Sequence, residues 1–549
     1  MTIEIAIIGS GLIGTLLALG LLNRDSPHLR IQVYEQAACH RELGAGIGFT
    51  RAARHCMMRL DPRLDECLRA VATENGEPDD PDYNMRFVDG YHTYVDDDND
   101  QPVGIEGKVY KLYAGPRGFE GCHRAQFLEE IMKLMPEGVV QFGKRLERYK
   151  YLESGRIQLV FGDGSIREVD GVIGCDGIKS RVRDLMFPNA DHRPRYAHQL
   201  AYRGLIPMEQ AIAHLGRHRA LLQHMHCGPH AHVLHFPVAN QKLLNVVAFV
   251  PDPNDWDVSS FTGAATTTAT TTATATPIPE EATTTTTTRS KSPSRNPSTP
   301  TNNPTPNLNP PRIQDRTTTP DGTRPVPTST STSPTNPINP PSDRSPSRSP
   351  STSTKSNPTT PKTHLLNTFA TWTPFLRTLL TLLPPTLTQW PIFDLYTHPP
   401  PTYALSRVCL VGDAAHAASP HHGAGAGVGV EDALALVTAL TCAEADILTR
   451  KLTTPQALEV AFKAYSDVRF QRSQWVMRSS REVCRAYEWE LFEGQEGAGG
   501  EVTAETGMMG RVFEEIRRRT MTVWGLDVEG MVGEVQRQYS RGTWGYSCF

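Results

Sequence analysis

Cysteine is scarce in this sequence. Ten cysteines are spread over 549 residues, from Cys39 to Cys548, and no two of them form a CxxC pair. This pattern excludes a disulfide framework and a zinc ribbon, which both need closely spaced cysteines. Free thiols are typical of reducing compartments, so we expect a cytoplasmic protein.

A surplus of charge of one sign is also missing. The 55 Lys and Arg residues stand against 59 Asp and Glu residues, which leaves a net charge of −4. Proteins that hold nucleic acid by bulk charge carry a positive surplus on the binding domain. We therefore expect no nucleic-acid partner.

Hydrophobic runs long enough to cross a membrane are lacking as well. The most apolar stretch near the N-terminus, residues 5–22, follows the acidic Glu4 and is interrupted by glycines. A signal peptide has a basic flank, and a spanning helix needs about 20 predominantly apolar residues. We interpret this stretch as a buried strand, a turn and a helix, and we expect no membrane span.

Apolar residues make up only 38% of the chain, and one segment accounts for the deficit. Residues 262–362 are almost entirely Thr, Ser, Pro, Asn and Ala with scattered Arg and Lys. This composition cannot bury enough apolar surface to offset the entropy of ordering. The sequence predicts a long disordered insertion inside a folded domain. An unspliced intron translated into protein would produce a similar segment, so its origin stays open.

The clearest motif is Gly9-x-Gly11-x-x-Gly14, which follows an Ile-rich strand and opens a helix, while Glu35 ends the next strand. The first glycine permits a tight turn, the second lets the backbone approach a diphosphate, and the third lets the helix pack on the strand. Free N–H groups at the helix start can bind the diphosphate. Because the Glu35 carboxylate suits ribose hydroxyls and disfavours a 2′-phosphate, the unit predicts bound FAD or NAD rather than NADP.

Two later motifs favour FAD. A strand at residues 408–412 ends at Asp413, and a glycine-rich turn with Gly425 and Ala426 then leads into a helix. Asp413 can bond the ribityl hydroxyls of a flavin, and N–H groups of the turn can reach the isoalloxazine where negative charge grows on reduction. An earlier strand ends in an Asp-Gly turn at Asp176.

Apolar patterning outlines the rest of the chain. Residues 232–237 and 243–250 are short apolar runs bounded by Gly, Pro and Asn, which is typical of antiparallel strands. Residues 365–383, 431–448 and 455–487 are predicted to be helical. The sequence thus predicts an α/β part, an antiparallel sheet and C-terminal helices.

With these three motifs in this order, the chain resembles the FAD-dependent aromatic hydroxylases. These are the group A flavin monooxygenases of the salicylate hydroxylase and 4-hydroxybenzoate hydroxylase type, and their fungal branch acting on polyketide phenols is most similar. The resemblance implies an α/β fold with a Rossmann-like FAD-binding domain, an antiparallel β-sheet substrate domain, C-terminal helices and the inserted residues 262–362. We place the FAD-binding domain at residues 1–190 and 405–549, and the substrate domain at residues 191–261 and 363–404.

The resemblance also implies the cofactor contacts. Asp176 would serve both FAD and a transient NAD(P)H. The other implied FAD contacts are Glu35, Gly48, Arg124, Asp413 and Ala426.

The chemistry implied by the family requires no metal. NAD(P)H reduces FAD, O₂ then gives a flavin C4a-hydroperoxide, and a phenolate attacks its distal oxygen and gains a hydroxyl. The expected partners are therefore an aromatic small molecule, O₂ and NAD(P)H. Arg203 lies at the position where fungal relatives carry an arginine that pairs with phenolate, so it is the predicted catalytic residue. A structural arginine bound to a carboxylate is the alternative interpretation.

Two positions depart from the family pattern. Phe236 precedes Pro237 where dearomatising relatives often carry tyrosine, and Arg51-Ala52-Ala53 stands where Pro-Asn-Ala is usual. The first departure removes a hydroxyl that could hold an oxygen of the substrate. Dearomatisation and plain hydroxylation, with or without decarboxylation, therefore stay open.

Histidines crowd residues 224–235, but no carboxylate lies among them and a Gly-Pro step breaks the run. Alternation along a strand puts His230 and His232 on one face and His235 on the other. We expect half-buried sheet histidines rather than a metal site.

Two rival functions share these motifs. An oxidase or epoxidase on the same scaffold would bind FAD in the same way. A flavin-binding protein inactivated by the insertion would act through the Ser-Pro and Arg-Ser steps of residues 344–350. NAD(P)H consumption stimulated by phenols would favour the hydroxylase.

Overall fold

A computed structural model of the chain describes residues 2–39, 46–92, 94–95, 102–103, 109–256, 360–492 and 508–546. The predicted insertion lies outside these residues except at its end, where a helix already begins at Pro361. The predicted domain boundaries stay a prediction.

Strands and helices alternate through the first part of the chain, and strands then dominate as far as Pro251. In chain order the strands are β1 (Ile3–Ile8), β2 (Leu29–Tyr34), β3 (Gly46–Phe49), β4 (Ala72–Thr73), β5 (Gly76–Glu77), β6 (Asp80–Pro81), β7 (Asn84–Asp89), β8 (Tyr94–Val95), β9 (Pro102–Val103), β10 (Val109–Tyr113), β11 (Glu120–His123), β12 (Val140–Gln141), β13 (Leu146–Tyr151), β14 (Ile157–Phe161), β15 (Ile166–Val169), β16 (Gly171–Gly174), β17 (Arg195–Pro207), β18 (His224–Gly228), β19 (Ala231–Val238), β20 (Leu243–Pro251), β21 (Thr388–Asp394), β22 (Ala404–Leu405) and β23 (Val408–Leu410).

Helices dominate the C-terminal part. In chain order they are α1 (Leu12–Leu22), α2 (Arg51–Leu60), α3 (Arg63–Val71), α4 (Arg124–Met132), α5 (Arg181–Met186), α6 (Met208–Leu215), α7 (Arg217–Ala220), α8 (Pro361–Thr368), α9 (Pro374–Thr381), α10 (Asp413–His416), α11 (Gly425–Leu448), α12 (Thr454–Tyr487), α13 (Met508–Trp524) and α14 (Val528–Thr543).

A six-stranded sheet in the order β12-β2-β1-β16-β23-β22 forms the Rossmann-like part. Its pairs are parallel except for β22 with β23, and β1 lies between β2 and β16. Because the strands are parallel, the turns after β1, β16 and β23 emerge at one edge of the sheet. Ligands of open α/β sheets bind outside this edge. The predicted α/β fold is confirmed.

A seven-stranded sheet in the order β10-β7-β18-β19-β20-β17-β21 forms the second layer. All its pairs are antiparallel except β18 with β7. One face packs through Val246 and Ala248 on Leu376 and Leu380 of α9. Since β21 follows residues 257–359 in sequence and pairs with β17, that long segment separates in sequence two neighbouring strands of this sheet.

The predicted helix at residues 365–383 is wrong as a single element. The structure divides it into α8 and α9, with Thr373 as the N-cap and Pro374 as the first residue of α9. Proline suits the first turn of a helix because it has no N–H group, and the N–H groups of the first turn have no hydrogen-bond partner within the helix. The pattern of leucines therefore spans two helices and not one.

Helix α11 has the length and composition of a membrane span, but 78% of its most apolar window is buried inside the protein. Its neighbours in the core include Leu16 and Leu17 of α1 and Leu458 of α12. It is therefore a core helix of the protein.

Candidate active site

A cavity of about 2120 Å³ lies where the turns after β1, β16 and β23 meet the face of the seven-stranded sheet. Ligand pockets usually measure about 300–1,000 Å³, so this cavity has room for a dinucleotide and a second molecule. Ten of the eleven predicted site residues line it, namely Gly9, Gly11, Glu35, Gly48, Arg124, Asp176, Arg203, Asp413, Gly425 and Ala426.

The turn after β1 needs its glycines. Gly9 has a φ of +101°, and a Cβ there would lie 2.6 Å from the carbonyl oxygen of Cys175. A Cβ at Gly14 would lie 2.1 Å from the carbonyl oxygen of Gly9, so Gly14 packs the helix on the strand and does not line the cavity. Gly11 is the N-cap of α1. The turn therefore leaves a backbone-lined space at the helix start, as a diphosphate requires.

Glu35 follows β2 and is held by backbone donors. The N–H groups of Ser10 and Ala37 donate to its two carboxylate oxygens, each at 2.8 Å. These bonds fix the carboxylate at the cavity wall beside the glycine turn. Its remaining lone pairs can accept ribose hydroxyls.

Asp176 follows β16 in the Asp-Gly turn. The Ser180 hydroxyl and the N–H of Val182 donate to its carboxylate, the latter at 3.0 Å. Burial raises the pKa of Asp176 in spite of these bonds. Its carboxylate thus organises the start of α5 as well as lining the cavity.

Asp413 and Ser419 both place polar side chains in the cavity wall. Asp413 opens α10 after Gly412, whose φ is +63°. The Ser419 hydroxyl is buried, lines the cavity and has no hydrogen-bond partner among the described residues. A ligand with hydroxyl and carbonyl groups, such as the ribityl chain of a flavin, would satisfy both.

The first residues of α11 form another wall. A Cβ at Gly425 would meet no protein atom within 4 Å, so this position opens on the cavity. The side chain of Phe119 fills the space beside two glycines, because a Cβ would lie 2.0 Å from its ring at Gly48 and 3.1 Å at Gly423. The N-terminus of α11 presents free N–H groups and a positive dipole end.

Arg203 projects from β17 into the sheet side of the cavity. Its guanidinium carbon lies 5.2 Å from the centre of the Trp390 ring on β21, and its Nε is shielded without a hydrogen-bond partner. Burial lowers its pKa, and no carboxylate offsets that effect. Among the described residues no acidic side chain pairs with Arg203, so none of them supports the alternative of a structural arginine bound to a carboxylate, and the role of Arg203 stays a prediction.

The histidines of β18 and β19 divide between the two faces of the sheet. His224, His226 and His235 stack on one face, and His226 Nε2 lies 3.0 Å from His235 Nδ1. His232 lies on the other face, as predicted, while His230 lies in the exposed turn between the strands.

The stacked histidines are fully buried rather than half-buried, which corrects the prediction. Burial lowers the pKa of His224 and His226 well below the ordinary value and that of His235 to about 4. They therefore stay neutral at physiological pH.

Sequence reasoning missed three cavity residues. Ser419 lies between Asp413 and the glycine-rich turn at Gly425, and this position is the signal that could have identified it. Phe119 and Trp390 gave no motif. Alternation along β21 puts Thr388 and Trp390 on one face, but the pairing of β21 with β17 follows only from the structure.

These features fit FAD. The glycine turn excludes side chains at the diphosphate position, Glu35 stands at the ribose position, Asp413 lines the cavity, and the buried Ser419 hydroxyl has no hydrogen-bond partner among the described residues. The long cavity joins all of them to the sheet that carries Arg203.

Comparisons with known proteins agree with this fit. A family model described as FAD binding domain matches residues 382–454. The FAD-dependent monooxygenase pigN of Monascus ruber is 36% identical over 542 residues, covering 98% of this chain and 97% of the relative. The salicylate hydroxylase asL1 of Sarocladium schorii is 35% identical over 549 residues, covering 98% and 91%. The prediction of FAD as cofactor is confirmed.

Solved structures share the fold. A salicylate hydroxylase in complex with substrate gives a TM-score of 0.62 at 23% identity, covering 97% of this chain and 98% of that chain. HpxO of Klebsiella pneumoniae, complexed with FAD and uric acid, gives 0.57 at 18% identity and covers 97% of both chains.

Proposed function

The chain belongs to the FAD-dependent monooxygenases of the aromatic hydroxylase family, and we propose that it hydroxylates an aromatic substrate that Arg203 binds as a phenolate. The observation that carries the proposal is the unpaired guanidinium of Arg203 in the cavity wall. A cation withdrawn from water without a counter-ion is costly, so an anionic ligand is its natural partner.

The side chains around Arg203, which form the floor of the cavity on the sheet side, favour an aromatic ligand. Phe236, Phe249 and Trp390 line the same cavity, and Leu234 and Val247 lie between them. Rings of this kind bind a planar substrate by stacking and edge contacts. A single cation on an apolar floor favours a ring with one ionised oxygen over a highly polar ligand.

Arg203 also accounts for substrate activation without a strong base. A guanidinium beside a phenol stabilises the phenolate and lowers the pKa of the hydroxyl. The phenol proton leaves to water, and the ring carbons gain electron density. Trp390 holds the guanidinium by stacking on it, which keeps its charge directed at the bound oxygen.

The cofactor side of the cavity binds and orients. FAD, when bound, accepts electrons from NAD(P)H and activates O₂. Asp413 and Ser419 would hold its ribityl chain, the glycine turn and Glu35 its adenosine diphosphate end, and the N-terminus of α11 the electron-rich end of its ring system. The apolar sheet excludes water from the reacting ring. Asp176 would serve both FAD and NAD(P)H.

Phe236 supports plain hydroxylation over dearomatisation. Its ring carries no hydroxyl for the substrate's oxygen, and it packs at Gly46, where a Cβ would lie 3.2 Å from its Cζ. We propose a salicylate-like or polyketide-derived phenol as substrate, in keeping with fungal relatives named FAD-dependent monooxygenases and salicylate hydroxylase.

We also propose that the enzyme acts in the cytoplasm. The nine cysteines within the described residues are free thiols, and eight of them, all except the exposed Cys39, are partly or wholly buried. Reduced thiols and a supply of NAD(P)H are properties of that compartment. Fluorescent tagging of the chain in its host would test this location.

A matched substrate screen tests the proposed reaction. The FAD-loaded protein is incubated with NAD(P)H and a panel of phenols, each paired with its methyl ether, which has the same ring and no ionisable hydroxyl. We expect the phenols to stimulate NAD(P)H oxidation and to gain one oxygen atom by mass spectrometry, and the ethers to do neither. Retained aromatic proton signals in the product would separate hydroxylation from dearomatisation. Equal turnover of ethers and phenols would contradict a phenolate site.

A further inference from the structure

A buried chain of three side chains runs behind the cavity. Glu488 Oε1, after the end of α12, lies 3.0 Å from Nδ1 of His232 on β19. The Nε2 of His232 lies 3.3 Å from Nδ1 of His421, which stands in the 3₁₀ turn Pro420–His422. All three residues are at most 5% exposed. Glu488 and His232 are 256 positions apart, so only the fold brings them together.

The partners assign the direction of each hydrogen bond. Glu488 also accepts from the Gln199 amide at 2.7 Å, and no arginine or lysine of the described residues pairs with it. His232 Nδ1–H therefore donates to the carboxylate, and His232 Nε2 accepts from His421 Nδ1–H. This direction leaves His421 Nε2 with a lone pair and no partner. The opposite direction would leave a buried N–H donor unpaired, which is the rarer and costlier case.

The hydrogen-bonded side chains of Glu488, His232 and His421 support two walls of the cavity. Pro420 and Gly423, on either side of His421 and His422, line the cofactor part of the cavity. The ring of His232 stacks on Phe249 with centroids 4.5 Å apart, and Phe249 lines the substrate part. A shift of His232 or His421 would therefore move both the flavin turn and the substrate floor.

Helix α12 also forms two hydrogen bonds to the turn that carries His421. The Tyr487 hydroxyl lies 3.3 Å from the carbonyl oxygen of His421, and Ser479 Oγ lies 2.9 Å from Nε2 of His422. These contacts hold the backbone of the turn and its second histidine. The ring of His421 packs on Phe249 with centroids 4.9 Å apart, and its hydrogen bond to His232 links it to Glu488.

We propose that Glu488 is a positioning residue for the cofactor and substrate: through His232 it fixes the tautomer and ring of His421, and so holds residues 420–423 and Phe249 in place. The side chain touches neither FAD nor substrate. Its effect reaches them through two buried imidazoles. The inference uses the proposed function only for its last readout.

A metal ion is the competing explanation for the same residues. One ligand atom each of His232, His421 and Cys484 lie within 4.8 Å of one another. However, the Gln199 amide donates to Cys484 Sγ at 3.0 Å, and the chain from Glu488 to His421 is complete without a cation. The hydrogen-bond chain is therefore favoured, and metal content enters the test.

The test compares Glu488→Ala with Glu488→Gln in the full-length, FAD-loaded protein. Alanine leaves His232 Nδ1–H unpaired, whereas the glutamine carbonyl still accepts from it. We expect Glu488→Ala to raise the FAD dissociation constant about tenfold and to alter the flavin absorption band. Glu488→Gln should restore both. Glu490→Gln, two residues on and facing the exposed His230 at 3.7 Å, is the matched control and should match wild type.

The last readout is the share of NAD(P)H electrons released as hydrogen peroxide in the presence of substrate. We expect it to rise in Glu488→Ala and to fall back in Glu488→Gln, because a displaced turn and floor uncouple oxygen activation from hydroxylation. If Glu488→Ala does not fold, His421→Phe keeps the ring volume, removes both nitrogens and should give the same shifts.

Two results would overturn the inference. Unchanged FAD affinity and spectrum in both Glu488→Ala and His421→Phe would show that these three hydrogen-bonded side chains do not position the cofactor. About one zinc per wild-type chain by elemental analysis, lost in Cys484→Ser, would assign these residues to a metal. Since FAD affinity is measured without substrate, failure of the proposed hydroxylation would leave this result standing.

Discussion

The Nε2 of His416 lies 2.5 Å from Oδ2 of Asp432, in the core beneath the turn that carries Asp413. The same carboxylate accepts from the N–H of Gly412 at 3.1 Å and from Nε of Arg469 at 2.8 Å. Asp432 thus ties the cofactor turn to α11 and α12. Its charge is buried but has three donor partners, one of them the cationic Arg469, which is the arrangement that a buried carboxylate requires.

Removing the charge of Asp432 should weaken the fold in a pH-dependent way. Burial acts to raise its pKa, but His416 and Arg469 more than offset burial and hold it below the ordinary 3.8. A depressed pKa stabilises the fold above 3.8, and this contribution is lost as pH falls through the folded value. We expect Asp432→Asn to lower the free energy of unfolding at neutral pH by about 3 kcal/mol. The gap to wild type should narrow below pH 3.8 in denaturant titrations.

Asp467 supplies the control for that comparison. It is exposed on α12 and pairs with Lys463 at 2.6 Å. Exposed pairs contribute about 0–1 kcal/mol, so Asp467→Asn should unfold like wild type. A gap for Asp432→Asn that stays constant down to strongly acidic pH would contradict the charge argument.

Local sequence predicted the parts of the site that follow strands directly. Gly9, Glu35, Asp176 and Asp413 each stand at or just after the carboxyl end of a parallel strand, so strand prediction was enough to bring them to one edge. The roles of these residues as FAD contacts remain predictions.

Long-range pairings could not be predicted. Trp390 reaches Arg203 only because β21, beyond the long inserted segment, pairs with β17. Glu488 meets His232 through the packing of α12 on the sheet. Helix α14, in contrast, was missed although its buried apolar residues, Val528, Met531, Val532, Val535 and Tyr539, recur at helical spacing and could have predicted it. The contacts of Trp390 and Glu488 depend on topology rather than on local pattern.

Alanine substitutions at two glycines should affect folding and cofactor binding separately. A Cβ at Gly14 meets the carbonyl oxygen of Gly9 at 2.1 Å, whereas a Cβ at Gly425 meets no protein atom. We expect Gly14→Ala to lower the free energy of unfolding of the apoprotein by about 3 kcal/mol. Gly425→Ala should leave it unchanged and raise the FAD dissociation constant about tenfold, since its methyl group enters the cofactor space. Unimpaired FAD binding by Gly425→Ala would place the cofactor elsewhere in the cavity.

Loss of the Asp413 carboxylate should yield protein with little bound flavin. A hydrogen bond to a charged group contributes about 1.5–3 kcal/mol, so Asp413→Ala should weaken FAD binding about 10- to 100-fold. Flavin absorbance per protein after gel filtration measures the effect. Asp413→Asn keeps two hydrogen-bonding positions and should retain more flavin. Full flavin content in Asp413→Ala would show that this carboxylate does not contact the cofactor.

The stacked histidines should make the fold sensitive to mild acid. Burial lowers the pKa of His235 to about 4 and that of His226 well below the ordinary 6.5. A depressed histidine pKa stabilises the fold above 6.5, and the contribution falls as pH drops towards the folded value. We expect the thermal midpoint to fall between pH 6.5 and 4, and His226→Phe to flatten that slope. The exposed His214→Phe is the control and should keep the wild-type slope.

Arg203 should act on substrate oxidation and not on cofactor reduction. With no carboxylate partner and with Trp390 stacked on it, its charge is available to one ligand only. Loss of a buried charge-assisted contact of about 3 kcal/mol predicts a fall of about 100-fold in kcat/KM for a phenol in Arg203→Ala. The rate of FAD reduction by NAD(P)H, measured without oxygen, should stay near the wild-type value. Arg195→Ala, exposed on the same strand, controls for strand integrity.

Arg203→Lys should recover only part of the loss, because an ammonium keeps the charge but not the planar stacking on Trp390. Added guanidinium should partly rescue Arg203→Ala and leave Arg203→Lys unchanged. Only the alanine variant lacks the positive charge and has an empty space in which a guanidinium ion fits. Equal losses in reduction and hydroxylation would mean that the arginine maintains the sheet, and the phenolate assignment would then fail.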